Sequence, residues 1–261
     1  MRASTLFCVW YNLVMMPPPM SSEPAILPPH MQPHPCDACV VRSISMCSVL
    51  EPGEQCRLAA ILTTLRSPAE ETLFTEGQPA TSVFNVTSGI IKLYKLLPDG
   101  RRQITGFLGA GDFIGMQVGD VYAYSAETVT PVTLCRFPRR KLEALLLELP
   151  TLQRRLFSMA ATELMAAQDQ MLLLGRKRAI EKFCSFLLMQ SNRARRRGLK
   201  DNPVHVPMSR TDMADYLGLT METVSRTISQ LKSDRIVTQL KDGRMQIEDL
   251  AQLQALAEGG E

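Results

Sequence analysis

Two sets of residues in this sequence have the types and spacing to do chemistry. The first is Cys36-x-x-Cys39-x7-Cys47, with a distant Cys135. Thiolates are soft ligands. Four of them suit a [4Fe–4S] cluster, and tetrahedral zinc takes the same ligand type. The second is Glu222-x-x-Ser225-Arg226. On the exposed side of a helix, Arg matches guanine bidentately, Glu accepts from cytosine and Ser bonds several base edges. A surface Glu–Arg pair on an ordinary helix is the plainer alternative.

The remaining thiols set the context of the first group. The chain has 7 cysteines, an odd number, and no convincing signal peptide. A disulfide framework does not fit that pattern, whereas clustered thiols point to metal or redox chemistry. Cys56, nine residues past Cys47, is an alternative ligand. Cys184 lies in an apolar helical run and reads as core packing. Cys8 lies in an N-terminal stretch with its own character. Leu6 to Met16 is apolar and is followed by Pro17-Pro18-Pro19 rather than by a small-residue cleavage site. Residues 1–30 read as a disordered or mis-started extension, with Met15, Met16 and Met20 as alternative starts.

The second group sits in a recognisable helical frame. Ser209 caps a short helix with Asp212 three residues on, and Gly218 ends it. Thr220 caps the next helix, Met221 to Lys232, whose inward face is Val224, Ile228 and Leu231. A glycine turn between two such helices is the helix-turn-helix pattern, and the exposed residues early in the second helix meet base edges. Arg235 to Ile247 reads as a two-stranded wing turning at Lys241-Asp242-Gly243. Cap, glycine, apolar spacing and wing agree with one another.

Upstream, the period is that of strands. Glu71 to Gly77, Ser82 to Gly89, Ile90 to Leu96, Gln103 to Leu108, Tyr122 to Thr128 and Val132 to Phe137 are short runs punctuated by turns. Pro98-Asp99-Gly100 marks a hairpin. Several short strands at this spacing imply a sandwich, jelly roll or barrel. Arg57 to Leu65 carries a short amphipathic helical pattern. After Pro150, residues Phe157, Ala160, Leu164, Ala167, Met171 and Leu174 recur at spacings of three and four. This is a heptad seam, read as a dimer contact rather than a helix lying on its own core. The division that follows is a 1–30 extension, a 31–56 cysteine-rich segment, a 57–149 β-roll, a 150–175 dimerisation helix, a 176–250 winged helix-turn-helix and a 251–261 tail. The fold class is α+β.

Composition limits the function classes. At 261 residues with 45% hydrophobic content, the chain can build two cored domains. Net charge is only +3, yet Arg176 to Gln246 holds 15 Lys+Arg against 7 Asp+Glu. A basic block on a mildly acidic body suits a polyanion partner. No apolar run reaches membrane-spanning length. There is no Gly-rich phosphate loop and no HExxH, and His30, His34 and His205 flank the domains. An enzyme is not expected.

The chain resembles the family of the cyclic-AMP receptor protein (CRP), within it the fumarate and nitrate reductase regulator (FNR) branch. Gln103-Ile-Thr-Gly-Phe107, Gly111-Asp-Phe-Ile-Gly115, Asp169 to Leu174 and Leu219 to Arg226 carry the resemblance, which covers about residues 36–250. It implies a cyclic-nucleotide-binding-like jelly roll, a long dimerisation helix and a C-terminal winged helix-turn-helix. It implies a cytoplasmic, oxygen-responsive homodimeric regulator that reads double-stranded DNA at TTGAT-type inverted repeats through Glu222, Ser225 and Arg226. It implies a [4Fe–4S] cluster held by Cys36, Cys39, Cys47 and Cys135. The gap between Cys39 and Cys47 is longer than in the best-known enterobacterial members, which a loop absorbs at small entropic cost. In the family the Pro98 to Arg102 loop would contact RNA polymerase; a plain exposed turn reads equally well. Cyclic nucleotide is not expected. Asp112 could pass as the ribose acid, but Tyr124 stands where a phosphate-pairing Arg is wanted. The same fold with a zinc-thiolate, thiol-redox or nitric oxide sensor is the alternative. The long helix is the element that would couple sensor to reader. Its seam lacks an acid, so some cluster-free dimer is expected to persist.

Overall fold

The computed structural model describes Cys36 and residues 38–260, so the 1–30 extension and Cys8 lie outside the described residues. The cysteine segment runs through a succession of turns into a single 3-10 turn, Met46–Val49, capped by the Ser45 hydroxyl. Helix α1, Pro52–Ala59, follows. Pro52 opens it at the first helical position, where no amide hydrogen is needed, and Glu51 and Glu54 close a capping box.

Eight strands then form the roll. They are β1 Thr63–Ser67, β2 Thr72–Phe74, β3 Ser82–Ser88, β4 Ile90–Leu96, β5 Arg102–Gly109, β6 Phe113–Ile114, β7 Ser125–Thr128 and β8 Val132–Pro138. They make two four-stranded antiparallel sheets, ordered β1-β8-β3-β6 and β2-β7-β4-β5. Between the sheets lies a core of Phe74, Phe84, Val86, Ile91, Leu108, Ile114, Tyr122 and Leu134. The Arg57 to Leu65 helical pattern is corrected here. The helix ends at Ala59, and Thr63–Ser67 pairs with β8, because β-branched Thr63 and Thr64 suit a strand and β8 offers an open edge.

Helix α2, Arg139–Glu148, leads into the 27-residue α3, Pro150–Arg176. Leu152 and Leu156 anchor the start of α3 in a second core with Met46, Leu50, Leu58, Phe137 and Leu142. The C-terminal part comprises α4 Ala179–Arg196, α5 Arg210–Leu217, α6 Met221–Ser233, β9 Val237–Gln239, β10 Met245–Ile247 and α7 Leu250–Glu258. The expected 251–261 tail is also corrected. Asp249 caps α7, whose Leu253 and Ala257 are buried in a core shared with Phe183, Leu187 and Leu231. Apolar residues four apart, too few to stand out in a short sequence window, are what close that helix onto the domain.

Candidate metal centre and nucleic-acid interface

The cysteine segment is held from two sides. The Gln55 side-chain amide on α1 donates to the Cys36 carbonyl at 3.2 Å. On the other side, Arg155 of α3 donates from Nη2 to the Ile44 carbonyl at 3.1 Å and from Nε to the Ser45 carbonyl at 3.4 Å. Ile44 also presses on Gly111, whose φ of +94° needs a glycine and whose missing Cβ leaves room for Ile44 Cγ1. Cys47 and Cys135 both pack against the apolar cluster around Met46 and Phe137.

The structure brings the four predicted thiols within reach of one another's fields. Burial pushes the Cys135 thiol up to about 12, and Cys36, Cys39 and Cys47 each add to the rise. Burial likewise pushes Cys47 up to about 11, against the hydrogen bond from Ser45, with Cys36 and Cys39 raising it further. Cys56 is exposed on α1 and is not among the groups acting on Cys135. Cys184 is buried in the core of the C-terminal part, with its thiol raised to about 12 by burial. Among the described residues, no three Cys, His, Asp or Glu side chains converge closely enough to hold a single ion.

At the other end of the chain, Ser209 accepts from Asp212 N, and Asp212 Oδ2 faces Ser209, so the capping box of α5 is closed. Gly218 ends α5 in the left-handed conformation at φ 60°. Thr220 then caps α6 by accepting from Thr223 N. Val224, Thr227, Ile228 and Leu231 face the core, which leaves Glu222, Ser225 and Arg226 exposed on the opposite side. The Arg226 guanidinium donates to the Thr223 hydroxyl at 3.4 Å, one turn back along the same helix.

Along α3, Phe157, Leu164 and Met171 are 77%, 60% and 69% exposed, and Ala160 and Ala167 are exposed between them. Among the described residues, nothing covers this apolar stripe. Leu174 departs from the predicted seam. It is half-buried against the C-terminal core, its Cδ2 3.1 Å from where a Cβ on Gly218 would stand.

Three further sets of residues escaped sequence reasoning. Arg155, the tie between α3 and the cysteine segment, is one unremarkable charge on a helix. The β-roll is locked to α5: Lys92 Nζ lies 2.8 Å from Glu127 and 2.9 Å from Asp212, and Arg102 lies 2.8 Å from Asp215 and 3.0 Å from Asp212. No local signal pairs residues more than a hundred positions apart. Arg102 therefore leaves the exposed loop to which it was assigned, while Arg101 stays at the surface, paired with Asp99 at the turn. Asp112 is engaged as well, accepting from Gly109 N at 2.8 Å and from Arg197, the C-cap residue of α4, at 2.6 Å. Inside the roll, Tyr122 stacks on Phe74 with centroids 3.8 Å apart, and Tyr124 packs beside them.

Comparison with known proteins agrees with this architecture. Residues 64–148 match the cyclic nucleotide-binding domain, and residues 181–256 match the Crp-like helix-turn-helix domain. The transcriptional activatory protein AadR of Rhodopseudomonas palustris is 41% identical over 219 residues, which is 84% of this chain and 91% of that one. The nitrogen fixation regulation protein FixK of Bradyrhizobium diazoefficiens is 39% identical over 235 residues, 90% of this chain and 99% of that one. The solved structure of FixK2 from Bradyrhizobium japonicum superposes with a TM-score of 0.70 at 36% identity, covering 75% of this chain and 97% of that one. A β-roll, a long helix and a winged helix-turn-helix in this order, with relatives of that similarity across most of the chain, place it in the CRP/FNR family of DNA-binding transcription regulators, in the branch of the FNR and FixK types.

Proposed function

We propose that this regulator is an oxygen-responsive transcriptional activator that works as a cytoplasmic homodimer with a [4Fe–4S] cluster. The observation that carries the reading is that Cys36, Cys39 and Cys47 lie near enough to act on Cys135, with Cys47 and Cys135 on one apolar wall and the Ile44–Ser45 stretch before Cys47 tied to α3 by Arg155. A single zinc needs all its sulfurs within about 2.3 Å of one point. A [4Fe–4S] cluster offers four separate ligand positions, which four neighbouring thiols could fill. When bound, such a cluster supplies thiolate–iron bonds that oxygen can break.

The chain's own residues do the rest. The thiols must lose their protons to ligate, and the segment between Val41 and Leu50, whose Val41, Met46 and Leu50 are buried, anchors Cys47 and follows directly on Cys36 and Cys39. Arg155 transmits a shift of that segment to α3. The Phe157, Ala160, Leu164, Ala167 and Met171 stripe joins two α3 helices. Leu174 passes the position of α3 to the Gly218 turn and so to α6. Glu222, Ser225 and Arg226 then read TTGAT-type half-sites in an inverted repeat, whose twofold symmetry the dimer matches. Arg101, at an exposed hairpin tip, is available to RNA polymerase. Cyclic nucleotide is not the signal in this reading, because aromatic rings fill the roll and Asp112 is engaged.

The test is serine substitution of each cysteine, with iron, sulfide and zinc content measured on anaerobically purified protein and promoter activity compared with and without air. Cys36, Cys39, Cys47 and Cys135 are each expected to be required, and Cys56 and Cys184 are not. Stoichiometric zinc without iron, or full anaerobic activity in Cys135→Ser, overturns the cluster.

A further inference from the structure

Asn85 is 2% exposed, and its side-chain Oδ1 has no hydrogen-bond partner among the described residues. Buried amides are almost always paired, so an orphan calls for a partner that the chain itself does not supply. Its position says what that partner is. In the β1-β8-β3-β6 sheet, Thr64, Cys135, Asn85 and Phe113 stand opposite one another in a single row. Residues directly opposite in antiparallel strands share a face. Two residues along, Val83 lies opposite Phe137 on the same face, and both belong to the apolar cluster with Met46, Leu50 and Leu58 that underlies the cysteine segment. Asn85 is thus a carboxamide set into an apolar wall, with an aromatic ring on one side and the Cys135 thiol on the other. A leucine or valine would pack there with no polar group to satisfy.

We propose that Asn85 is a positioning residue for the four-thiol site, with its amide N–H donating a hydrogen bond to the sulfur at Cys135. The inference rests on the cluster reading above. A half-turn of the amide presents Nδ2 where Oδ1 now stands. A neutral thiol is a weak acceptor, but a thiolate engaged with iron is a strong one. The hydrogen bond is therefore made when the site is loaded, in keeping with an Oδ1 that has no partner among the described residues. Donors of this kind fix the orientation of a ligating sulfur and tune the stability of what it holds.

The experiment compares wild type with Asn85→Leu, using full-length protein reconstituted anaerobically with iron and sulfide. Iron per chain and the decay of visible absorbance in air and with an iron chelator are followed, beside the melting temperature of the cluster-free protein. Asn85→Leu is expected to lose iron ~10-fold faster or more, while its cluster-free melting temperature stays level or rises. Asn85→Val serves as a second variant should leucine overpack, with the same expectation. Equal decay in wild type and both variants overturns the inference and leaves the cluster reading standing. Fast iron loss accompanied by a lower cluster-free melting temperature in both variants also overturns it, because the residue is then only structural. A wild-type protein that takes up no iron overturns the cluster reading and this inference with it.

Discussion

Lys92 Nζ donates to Asp212 Oδ1 across 2.9 Å, and Asp212 is also the residue that closes the capping box of α5. One carboxylate therefore starts the first helix of the helix-turn-helix and fastens that helix to strand β4 of the β-roll. Both side chains are more than nine-tenths buried, so salt screens the contact little. Burial opposes the charge on Asp212, but Lys92, Ser209 and Arg102 outweigh it and hold its carboxyl below the usual range. Burial likewise opposes the charge on Lys92, and Glu127 and Asp212 outweigh it upward.

A double-mutant cycle on Lys92→Met and Asp212→Asn is expected to give a coupling of about 1–3 kcal/mol in unfolding free energy. Additive effects would show that the two residues act separately. The pH window follows from the signs. The depressed Asp212 contributes above its unfolded value, near 4, and that contribution is lost as pH falls through the lower folded value. The raised Lys92 contributes fully below its unfolded value, near 10.4, and its part is lost as pH climbs past the higher folded value. The coupling is thus expected to be flat from about pH 5 to 9, and a coupling that titrates near neutrality would contradict it.

The exposed stripe on α3 makes a second prediction. Leu164→Glu places like charges across a twofold contact, which costs several kcal/mol and weakens self-association by ~100-fold or more. Sedimentation equilibrium reads this directly. Glu163 does not provide a natural brake of that kind, because it faces Gly106 of β5 rather than the stripe. Wild-type chain without a metal group is therefore expected to retain a measurable dimer fraction. An unchanged association constant in Leu164→Glu would move the contact elsewhere.

The exposed heads on α6 make a third. Arg226→Ala is expected to cost about 1–3 kcal/mol per half-site, and Glu222→Ala to relax the preference at one base pair. Fluorescence anisotropy on TTGAT-type and scrambled duplexes at fixed salt separates the two effects. Equal wild-type affinity for both duplexes would refute the assignment.

The hairpin between β4 and β5 makes a fourth. Arg101→Glu is expected to lower transcription activation several-fold with DNA affinity unchanged, since among the described residues Arg101 pairs with Asp99 of its own turn. Arg102→Glu is expected to differ, lowering thermal stability by breaking the contacts to Asp212 and Asp215. Equal behaviour of the two variants would mean that the hairpin has no separate role.

What was readable in the sequence was whatever depends on near neighbours. The α5–turn–α6 unit could be read because Ser209, Gly218 and Thr220 declare their roles within a dozen positions. The strands with turn punctuation could be read for the same reason. Strand β1 was hidden because Arg57 to Leu65 joins the end of a helix to the start of a strand, and the mixture imitates one helical face. Helix α7 was hidden because its burial depends on α4, seventy positions earlier. The grouping of Cys135 with the N-terminal thiols came from resemblance, not spacing, and the row that joins it to Asn85 is visible only once β3 and β8 are paired. Arg102 was misplaced because a polar loop predicts exposure unless a distant acid claims the side chain.

The Phe74–Tyr122 stack has a consequence for redesign. With two rings face to face at 3.8 Å and the Tyr122 hydroxyl bonded to the Ser82 carbonyl, this part of the roll's interior is filled. Replacing Tyr124 by arginine would add a cation beside these rings without removing them. Opening space there would take the removal of at least one ring, and freeing Asp112 would take its release from Arg197. Each truncation of that kind removes an interlocking piece from the core that Leu134, the neighbour of Cys135 on β8, also enters, so space gained inside the roll is lost from the support of that strand.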